Sequence, residues 1–268
     1  MNILILGDIM GPSGRELINC NLKKIIKNKN IEFVIANGEN SADNGRGITK
    51  KIAEEFFKNG VDVITSGNHI WDKEETVKFI SEEKRLLRPA NLMEGSPGNG
   101  YGTYSSKNKK FKVTVVNLMG NVFMRKTNDA FIEAKKIIEK IKLKETSDFI
   151  VVDFHGEITS EKMAIGYFFD GKVTAVVGTH THVPTADTRV LEKGTAYQTD
   201  IGMCGDYDSV IGMNKENSLK KFLKDRNAVN HFPASGKGTL SGIIVAADLQ
   251  TGLAKKITRF IEGGVLKN

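Results

Sequence analysis

The 268-residue sequence has no apolar run longer than the five residues Ile243–Ala247. A membrane-crossing helix needs about 20 successive apolar residues, so we expect no membrane partner. The apolar stretch near the start, Ile3–Leu6, has four residues, whereas the apolar part of a secretion signal has about 7–15. We therefore expect a cytoplasmic protein.

Cysteine is also scarce. The two cysteines, Cys20 and Cys204, lie far apart and lack the close spacing of a metal-binding pair. Two such residues do not build the disulfide framework of a small secreted protein. We expect both to be small buried side chains, which is how free cysteines usually behave.

Arginine is rare among the cationic residues: eight of the 39 are arginine and 31 are lysine, against 32 acidic residues and a net charge of +7. A basic balance favours anionic partners. However, the lysines are scattered or in short clusters, and no long stripe combines arginine, lysine and aromatic residues as an RNA channel requires. We interpret the lysines as a solvated surface, so RNA is a weakly supported partner.

Apolar residues make up 40% of the sequence, which is enough for a substantial core. Short runs rich in Val and Ile alternate with longer amphipathic segments, a pattern typical of βαβ units with buried strands. The predicted strands are Asn2–Leu6, Glu32–Ala36, Val61–Thr65, Lys112–Asn117, Phe149–Asp153, Val173–Val177 and Ile243–Ala247. The predicted helices are Ser13–Lys27, Thr49–Lys58, Asp72–Glu83 and Asp129–Lys144.

The segment Gly95–Lys110 is dense in Gly, Ser and Asn, so we expect a long hairpin or loop there. The sequence has no internal repeat and no linker that would divide the chain. We therefore expect an α/β fold in a single domain, residues 1–268.

Polar groups follow five of the predicted strands at the point where each strand ends. The segments are Gly7-Asp8, Asn37-Gly38-Glu39-Asn40, Gly67-Asn68-His69, Asp153-Phe154-His155-Gly156 and Gly178-Thr179-His180-Thr181-His182. Ligand-binding residues in open α/β sheets gather beyond the carboxyl ends of the strands. Four of the five histidines belong to this set, and only His231 does not.

Each segment alone also has an ordinary structural interpretation. Asp8 is in a position to cap the following helix, Asn40 is a common turn residue, and His155 could be a hydrogen-bonded core residue. The pair His180 and His182 favours a metal, because an extended His-x-His places both rings on one face of the chain.

Together, the segments supply seven donor side chains: Asp8, Glu39, Asn40, Asn68, His155, His180 and His182. One ion with an open position needs three or four protein ligands, so seven suffice for two ions if one carboxylate bridges them. No thiolate takes part, which favours Fe, Mn, Zn or Co, with Fe or Mn preferred. Two ions about 3.5–4 Å apart are a usual arrangement for attack at phosphorus.

The order of these motifs resembles the calcineurin-like metallophosphoesterases. Three positions depart from the general pattern of that superfamily: Met10 stands where a histidine is common, Glu39-Asn40 replaces the usual acidic motif, and Ile70 replaces an acidic residue. These departures resemble the YmdB-like bacterial phosphodiesterases, where the asparagine substitutes for the missing histidine. Further stretches of similarity are Gly67–Lys73, Arg88–Asn91, Thr199–Met203 and Asp208–Gly212.

The resemblance implies a four-layer α/β/β/α sandwich, with two mixed sheets between helices. It implies that one metal is held by Asp8, Glu39, Asn40 and His182, and the other by Glu39, Asn68, His155 and His180, with Glu39 as the bridge. A bridging water or hydroxide would attack phosphorus, and His69 would act as general acid on the leaving oxygen. The implied substrates are small phosphodiesters, namely 2′,3′-cyclic nucleotides.

Two alternatives stay open on the sequence. The chain could be another metallophosphoesterase, such as a phosphoprotein phosphatase or an RNA nuclease. It could instead be a regulatory protein that binds RNA or proteins and has a structural metal centre, although such a centre has no use for an extra acid such as His69. A homo-oligomer is compatible with either.

Overall fold

The computed structural model describes residues 1–266, in which six helices and thirteen strands are formed. The helices are α1 (Gly11–Asn28), α2 (Lys50–Lys58), α3 (Glu74–Phe79), α4 (Ala130–Lys140), α5 (Thr159–Phe169) and α6 (Lys215–Phe222). The strands are β1 (Asn2–Leu6), β2 (Asp8–Ile9), β3 (Phe33–Asn37), β4 (Val63–Thr65), β5 (Tyr101–Ser105), β6 (Lys112–Met119), β7 (Phe149–His155), β8 (Ala175–Thr179), β9 (Arg189–Val190), β10 (Ala196–Gln198), β11 (Met203–Cys204), β12 (Thr239–Ala247) and β13 (Ala254–Gly263).

Two mixed sheets lie at the centre of the molecule. The first has five strands in the order β13-β12-β1-β3-β4, with β1, β3 and β4 parallel and the other pairs antiparallel. The second has six strands in the order β5-β6-β7-β8-β10-β9, with β6, β7, β8 and β10 parallel. A short parallel pair, β2 and β11, continues from the end of β1.

The alternation of side chains along the strands builds the layers, because successive residues of a strand face opposite sides of its sheet. In β1, Ile3 and Ile5 pack against the second sheet, whereas Leu4 packs against the helices of the first. In β7, Val151 faces the first sheet and Val152 packs with α4 and α5. The predicted four-layer α/β/β/α architecture is confirmed.

The first residues of two predicted helices, Thr49 and Asp129, are N-cap residues. In the structure each lies directly before the first helical residue. The Thr49 hydroxyl accepts a hydrogen bond from the Ile52 amide, and the Asp129 carboxylate accepts from the amides of Phe131 and Ile132. Both side chains thereby satisfy amide groups that have no partner within the first turn of a helix.

Some predicted boundaries are wrong. The helix predicted over Asp72–Glu83 is limited to α3, and the one over Asp129–Lys144 ends at Lys140, because Ile141 is already extended. The strand predicted over Val173–Val177 lies two residues later, as β8. The hairpin prediction for Gly95–Lys110 is confirmed, since β5 pairs antiparallel with β6.

Several elements have no counterpart in the predictions: α5, α6, β2, β9, β10, β11 and β13. The prediction of two buried cysteines holds for Cys204 and is wrong for Cys20, which is exposed on α1.

Across residues 1–266, the helices lack the combination of length and hydropathy that a bilayer crossing demands.

Candidate metal centre

The carboxyl ends of parallel strands from both sheets meet at one rim of the sandwich. β1 leads into Asp8, β3 into the Glu39-Asn40 turn, and β4 into the Asn68-His69 turn. From the second sheet, β7 ends at His155, and β8 leads into His180 and His182. All eight residues predicted from the sequence therefore lie on the same rim.

Four donor atoms converge around the buried His155 ring. Its Nε2 atom lies 2.9 Å from Glu39 Oε1, 3.0 Å from Asn68 Oδ1 and 3.0 Å from His180 Nδ1. Glu39, His155 and His180 thus form a group of three potential metal ligands whose donor atoms lie within 4.8 Å of one another. A carboxylate, an amide oxygen and two imidazoles are the donors that transition metals such as Fe, Mn and Zn accept.

A second group of donors adjoins the first. Asp8 Oδ1 lies 3.8 Å from His155 Nδ1 and 4.0 Å from His182 Nε2. This oxygen and Asn40 Oδ1 are both buried without a hydrogen-bond partner among the described residues. A buried acceptor without a partner costs free energy, and a cation satisfies such an acceptor. The residues present therefore fit a bound metal ion.

Each histidine of the cluster is oriented by a hydrogen bond from one ring nitrogen. His182 Nδ1 donates to the Ile211 carbonyl at 2.8 Å, and His180 Nε2 lies 3.1 Å from Glu157 Oε2. His155 Nδ1 lies 2.9 Å from the Thr179 hydroxyl, and that hydroxyl donates onward to Asp153. In each ring the opposite nitrogen is left for a metal, as in known metal sites.

The geometry of the His180-Thr181-His182 segment differs from the prediction. The sequence favoured an extended chain with both rings on one face, but β8 ends at Thr179 and both histidines have positive φ angles, 100° and 65°. Non-glycine residues with positive φ are uncommon and cluster at functional sites. The turn is compatible with the prediction that the two rings share a site. The reason given for that prediction, an extended chain, is wrong.

A buried ion pair holds this turn in place. Lys162 Nζ on α5 lies 2.7 Å from Asp200 Oδ2, and both side chains are 1% exposed. The same carboxylate oxygen accepts hydrogen bonds from the amide and hydroxyl of Thr181 at 3.1 and 2.7 Å. Thr181, the residue between the two histidines, is therefore held in place by hydrogen bonds to the charged carboxylate of Asp200.

Electrostatic coupling within the cluster shifts several pKa values. Burial acts to raise the pKa of Glu39, but the charge and hydrogen bond of His155, together with those of His69, lower it to about 2. Burial acts to lower the pKa of His155, but the Glu39 charge raises it to about 9. Burial and the His155 charge lower the pKa of His180 to about 3. Without a metal, a proton on His155 therefore supplies the positive charge that Glu39 requires.

His69 is held differently from the three buried histidines. Its amide donates to Glu39 Oε2 at 2.9 Å, and its ring Nδ1 lies 2.8 Å from Asp72 Oδ2. Asp72 in turn accepts from Arg125 at 2.9 Å. The ring lines the cleft described next, and it is not among the three residues grouped as potential ligands.

A cleft of about 260 Å³ opens beside the cluster. Small-molecule sites are commonly about 300–1,000 Å³. The cleft lies just below that range, so its size fits a ligand at the small end. Its cluster side is formed by Glu39, Asn40, His69, His180 and His182. Its outer wall is formed by Gly45, Arg46, Val210, Ile211, Met213, Ser218, Phe222 and His231.

The sequence patterns missed several residues that build this site. Lys162 stands alone in a helix that was not predicted, and Arg46 and His231 follow no strand-end motif. Glu157 lies one residue past the Asp153–Gly156 motif. The partner of Lys162, Asp200, lies in one of the stretches that carry the family resemblance. That resemblance was the one available signal for it.

Comparison with known proteins is consistent with this arrangement. The family model described as YmdB-like protein matches residues 4–260. A Bacillus subtilis protein named 2′,3′-cyclic-nucleotide 2′-phosphodiesterase is 45% identical over 97% of this chain and 97% of its own length.

Two solved structures illustrate the fold similarity. A Mycoplasma pneumoniae protein described as a novel phosphatase superposes with a TM-score of 0.89 at 35% identity, covering 98% of this chain and 93% of that one. A Staphylococcus aureus protein described as a putative 5′-nucleotidase superposes with a TM-score of 0.58 at 15% identity, covering 98% of this chain and 53% of that one. The second likeness concerns the fold alone.

Proposed function

This chain belongs to the YmdB-like protein family, and from that membership we propose that it is a metal-dependent phosphodiesterase with a dinuclear centre. Its substrates are small phosphodiesters, foremost 2′,3′-cyclic nucleotides, as named for the Bacillus subtilis relative. The observation that carries the proposal is the convergence of seven predicted donors on one rim, with two buried oxygens, Asp8 Oδ1 and Asn40 Oδ1, that lack partners.

The donors divide into two sets that share Glu39. Asp8, Asn40 and His182 would complete the first metal site, and Asn68, His155 and His180 would complete the second. This division is supported by the nitrogens that are left for a metal: Asn68 Oδ1 lies 3.0 Å from His155 Nε2 and Asp8 Oδ1 lies 4.0 Å from His182 Nε2, whereas the His155 nitrogen near Asp8 is engaged by Thr179. When bound, two such ions supply Lewis acidity and a water made acidic enough to attack phosphorus at neutral pH.

The charge of the ligand set favours an anionic substrate. Among the seven donors only Asp8 and Glu39 are carboxylates, since the others are amides and imidazoles. Two divalent ions therefore leave the loaded site with a net positive charge, even when the attacking hydroxide is counted. A phosphodiester has one negative charge, so the cleft attracts it and a neutral ester gains less.

His69 is assigned the proton transfer. Asp72 engages its Nδ1 atom, so a proton passed to the departing ribose oxygen leaves from Nε2. The position of the ring in the cleft wall supports this assignment, as does its separation from the three grouped ligands. The Asp72–Arg125 contact fixes the carboxylate and thereby the ring.

A turnover panel on metal-reconstituted protein tests the proposal. The panel comprises 2′,3′-cyclic AMP, 3′,5′-cyclic AMP, a linear dinucleotide and a phosphomonoester. We expect the highest kcat/KM for 2′,3′-cyclic AMP, and loss of that turnover in Glu39→Gln.

The alternatives give different results in the same panel. A preference for the phosphomonoester indicates a phosphatase, and a preference for the linear substrate indicates a nuclease. Tight, salt-sensitive RNA binding with no turnover of any substrate indicates a regulatory protein. Each of these outcomes contradicts the proposal.

A further inference from the structure

The outer wall of the cleft contains a cationic guanidinium and an imidazole that the proposed reaction does not use. Arg46 and His231 come from segments far apart in sequence and line the same cleft as His69. His231 is also the one histidine outside the strand-end motifs.

Arg46 lies in a loop that is tied directly to the proposed metal ligands. Gly45 and Gly47 on either side have positive φ angles of 75° and 82°. The Asn40 side-chain amide donates to the Gly45 carbonyl at 3.0 Å, and the Gly47 amide donates to the Glu39 carbonyl at 2.5 Å. The Arg46 backbone is thus fixed beside the centre, and its side chain is exposed.

His231 is fixed from the opposite wall. The buried Asn217 on α6 donates to the carbonyls of Val229 and Asn230 at 3.2 and 3.3 Å. The Asn214 amide donates to the Phe232 carbonyl at 3.0 Å. The peptide on both sides of His231 is therefore anchored to the start of α6, and the exposed ring meets the cleft.

This end of the cleft is positive and has no counter-ion of its own. Of the described residues that line it, Glu39 is the only carboxylate, and both of its oxygens are engaged at the cluster. Burial and the positive charges of Lys221 and Arg46 lower the pKa of His231, so its ring meets the cleft as a neutral hydrogen-bond donor beside the charged Arg46. A cationic group facing a cleft without an acidic partner is a recognition site for an anion.

We propose that Arg46 and His231 bind a second phosphoryl group of the substrate, on the 5′ side of the ribose. The inference rests on the proposed function, because it takes the reacting cyclic phosphate to lie at the metal centre. One ribose then separates the two anionic groups. The substrate class is a 2′,3′-cyclic nucleotide with a 5′-phosphoryl group, either free or as the 3′ end of an oligonucleotide.

Three substrates measure the effect of a 5′-phosphoryl group and identify its source. They are adenosine 2′,3′-cyclic phosphate, its 5′-phosphorylated form, and the dinucleotide ApA with a terminal 2′,3′-cyclic phosphate. We expect the 5′-phosphorylated form to have a kcat/KM about 10- to 100-fold above the first, as charge-assisted hydrogen bonds provide. The gain should lie in KM, since a contact that is equally strong in the bound substrate and in the transition state lowers KM without raising kcat. A matching gain for the dinucleotide identifies the oligonucleotide as the source of the phosphoryl group, and its absence identifies the free 5′-phosphate.

Substitutions locate the effect. Arg46→Gln and His231→Gln should each reduce the preference for the 5′-phosphorylated form, whereas Lys256→Gln, an exposed cation on β13, should leave the preference unchanged. Equal kcat/KM values for the first two substrates contradict the inference while leaving the proposed function intact. A gain for the dinucleotide alone also contradicts it, because the gain then comes from the extra nucleoside. No turnover of any of the three contradicts the proposed function itself.

Discussion

His69 differs from the other histidines on the rim in what its ring contacts. The rings of His155 and His180 contact each other at 3.0 Å, whereas the His69 ring contacts Asp72, outside the donor set. Its backbone amide, in contrast, donates to Glu39. The residue is therefore attached to the centre through its main chain, and its side chain is free to act on a substrate in the cleft.

His69→Ala should retain the bound metals and lose turnover. We expect kcat for 2′,3′-cyclic AMP to fall by about 10²–10⁴-fold, which is the usual contribution of a positioned acid or base. The defect should shrink for a nitrophenyl phosphodiester, whose leaving group needs no proton. Metal analysis and kinetics on both substrates check this. Equal defects on the two substrates would assign His69 to phosphate positioning, and loss of metal would make it a ligand.

Asn40 shows what a sequence can and cannot reveal about one residue. Its position after Glu39 and the missing histidine at Met10 pointed to a ligand, and its buried Oδ1 is without a partner in the described structure. The structure adds that its Nδ2 donates to Gly45 and thereby holds the Arg46 loop. The Asn40 Nδ2 atom therefore has the role of an ordinary turn residue, whereas its Oδ1 atom is the proposed metal ligand.

At the scale of elements, α5 links the second sheet to the turn that carries two of the histidines. Lys162 is buried in the middle of this helix and reaches Asp200, which accepts hydrogen bonds from Thr181 and from the Gly202 amide. Removal of one partner from a buried ion pair leaves the other charge uncompensated, which is far more costly than the pair is favourable.

Lys162→Met should lower the free energy of unfolding by about 3–5 kcal/mol, because Asp200 stays buried without its cation. Metal affinity should also fall, because the Thr181 turn loses its support. Denaturant unfolding and metal titration measure the two effects. Lys136→Met is the matched control, since its pair with Glu133 is exposed and worth about 0–1 kcal/mol. Addition of Asp200→Asn should recover stability, and a double variant as unstable as the single one contradicts this account.

The elements that deliver the donors could be predicted, and several others could not. β1, β3 and β7 contain uninterrupted apolar runs, Ile3–Leu6, Phe33–Ala36 and Phe149–Val152, so the polar groups that follow these runs were visible in the sequence. β13 was not, because an edge strand with Lys255, Lys256 and Arg259 lacks a continuous apolar signal. The two-residue strands β2, β9 and β11 exist through tertiary pairing alone.

At the scale of the whole molecule, the four-layer architecture brings donors from two sheets to one rim. The polar groups at the strand ends predicted that the donors gather at one rim, whereas the division of the strands into two sheets was implied by the family resemblance alone. The single domain over residues 1–268, the cytoplasmic location and the homo-oligomer stay predictions.

The stability of the metal-free protein should depend on pH through His155. Burial opposes its charge, but Glu39 raises its pKa to about 9 from the ordinary 6.5. Its contribution to stability is therefore complete below about pH 6.5 and is lost as the pH rises through about 9. Bound metal replaces that proton, so the loaded protein should not show this loss.

Thermal unfolding across that pH interval, with and without metal, measures the difference. His231→Gln is a control, because the lowered pKa of His231 places its titration below the interval. A metal-free protein whose Tm is constant between about pH 6.5 and about pH 9 contradicts the proposed His155–Glu39 coupling.

The metal content of purified, reconstituted protein tests the central claim most directly. The seven donors form two sets that share Glu39. They predict close to two transition metal ions per chain by elemental analysis. Glu39→Gln should lower the occupancy of both sites together, and His182→Ala should mainly empty the first. Glu139→Gln, which changes an exposed carboxylate on α4 outside the site, should retain both ions. One ion or fewer per chain with full activity would contradict the dinuclear centre.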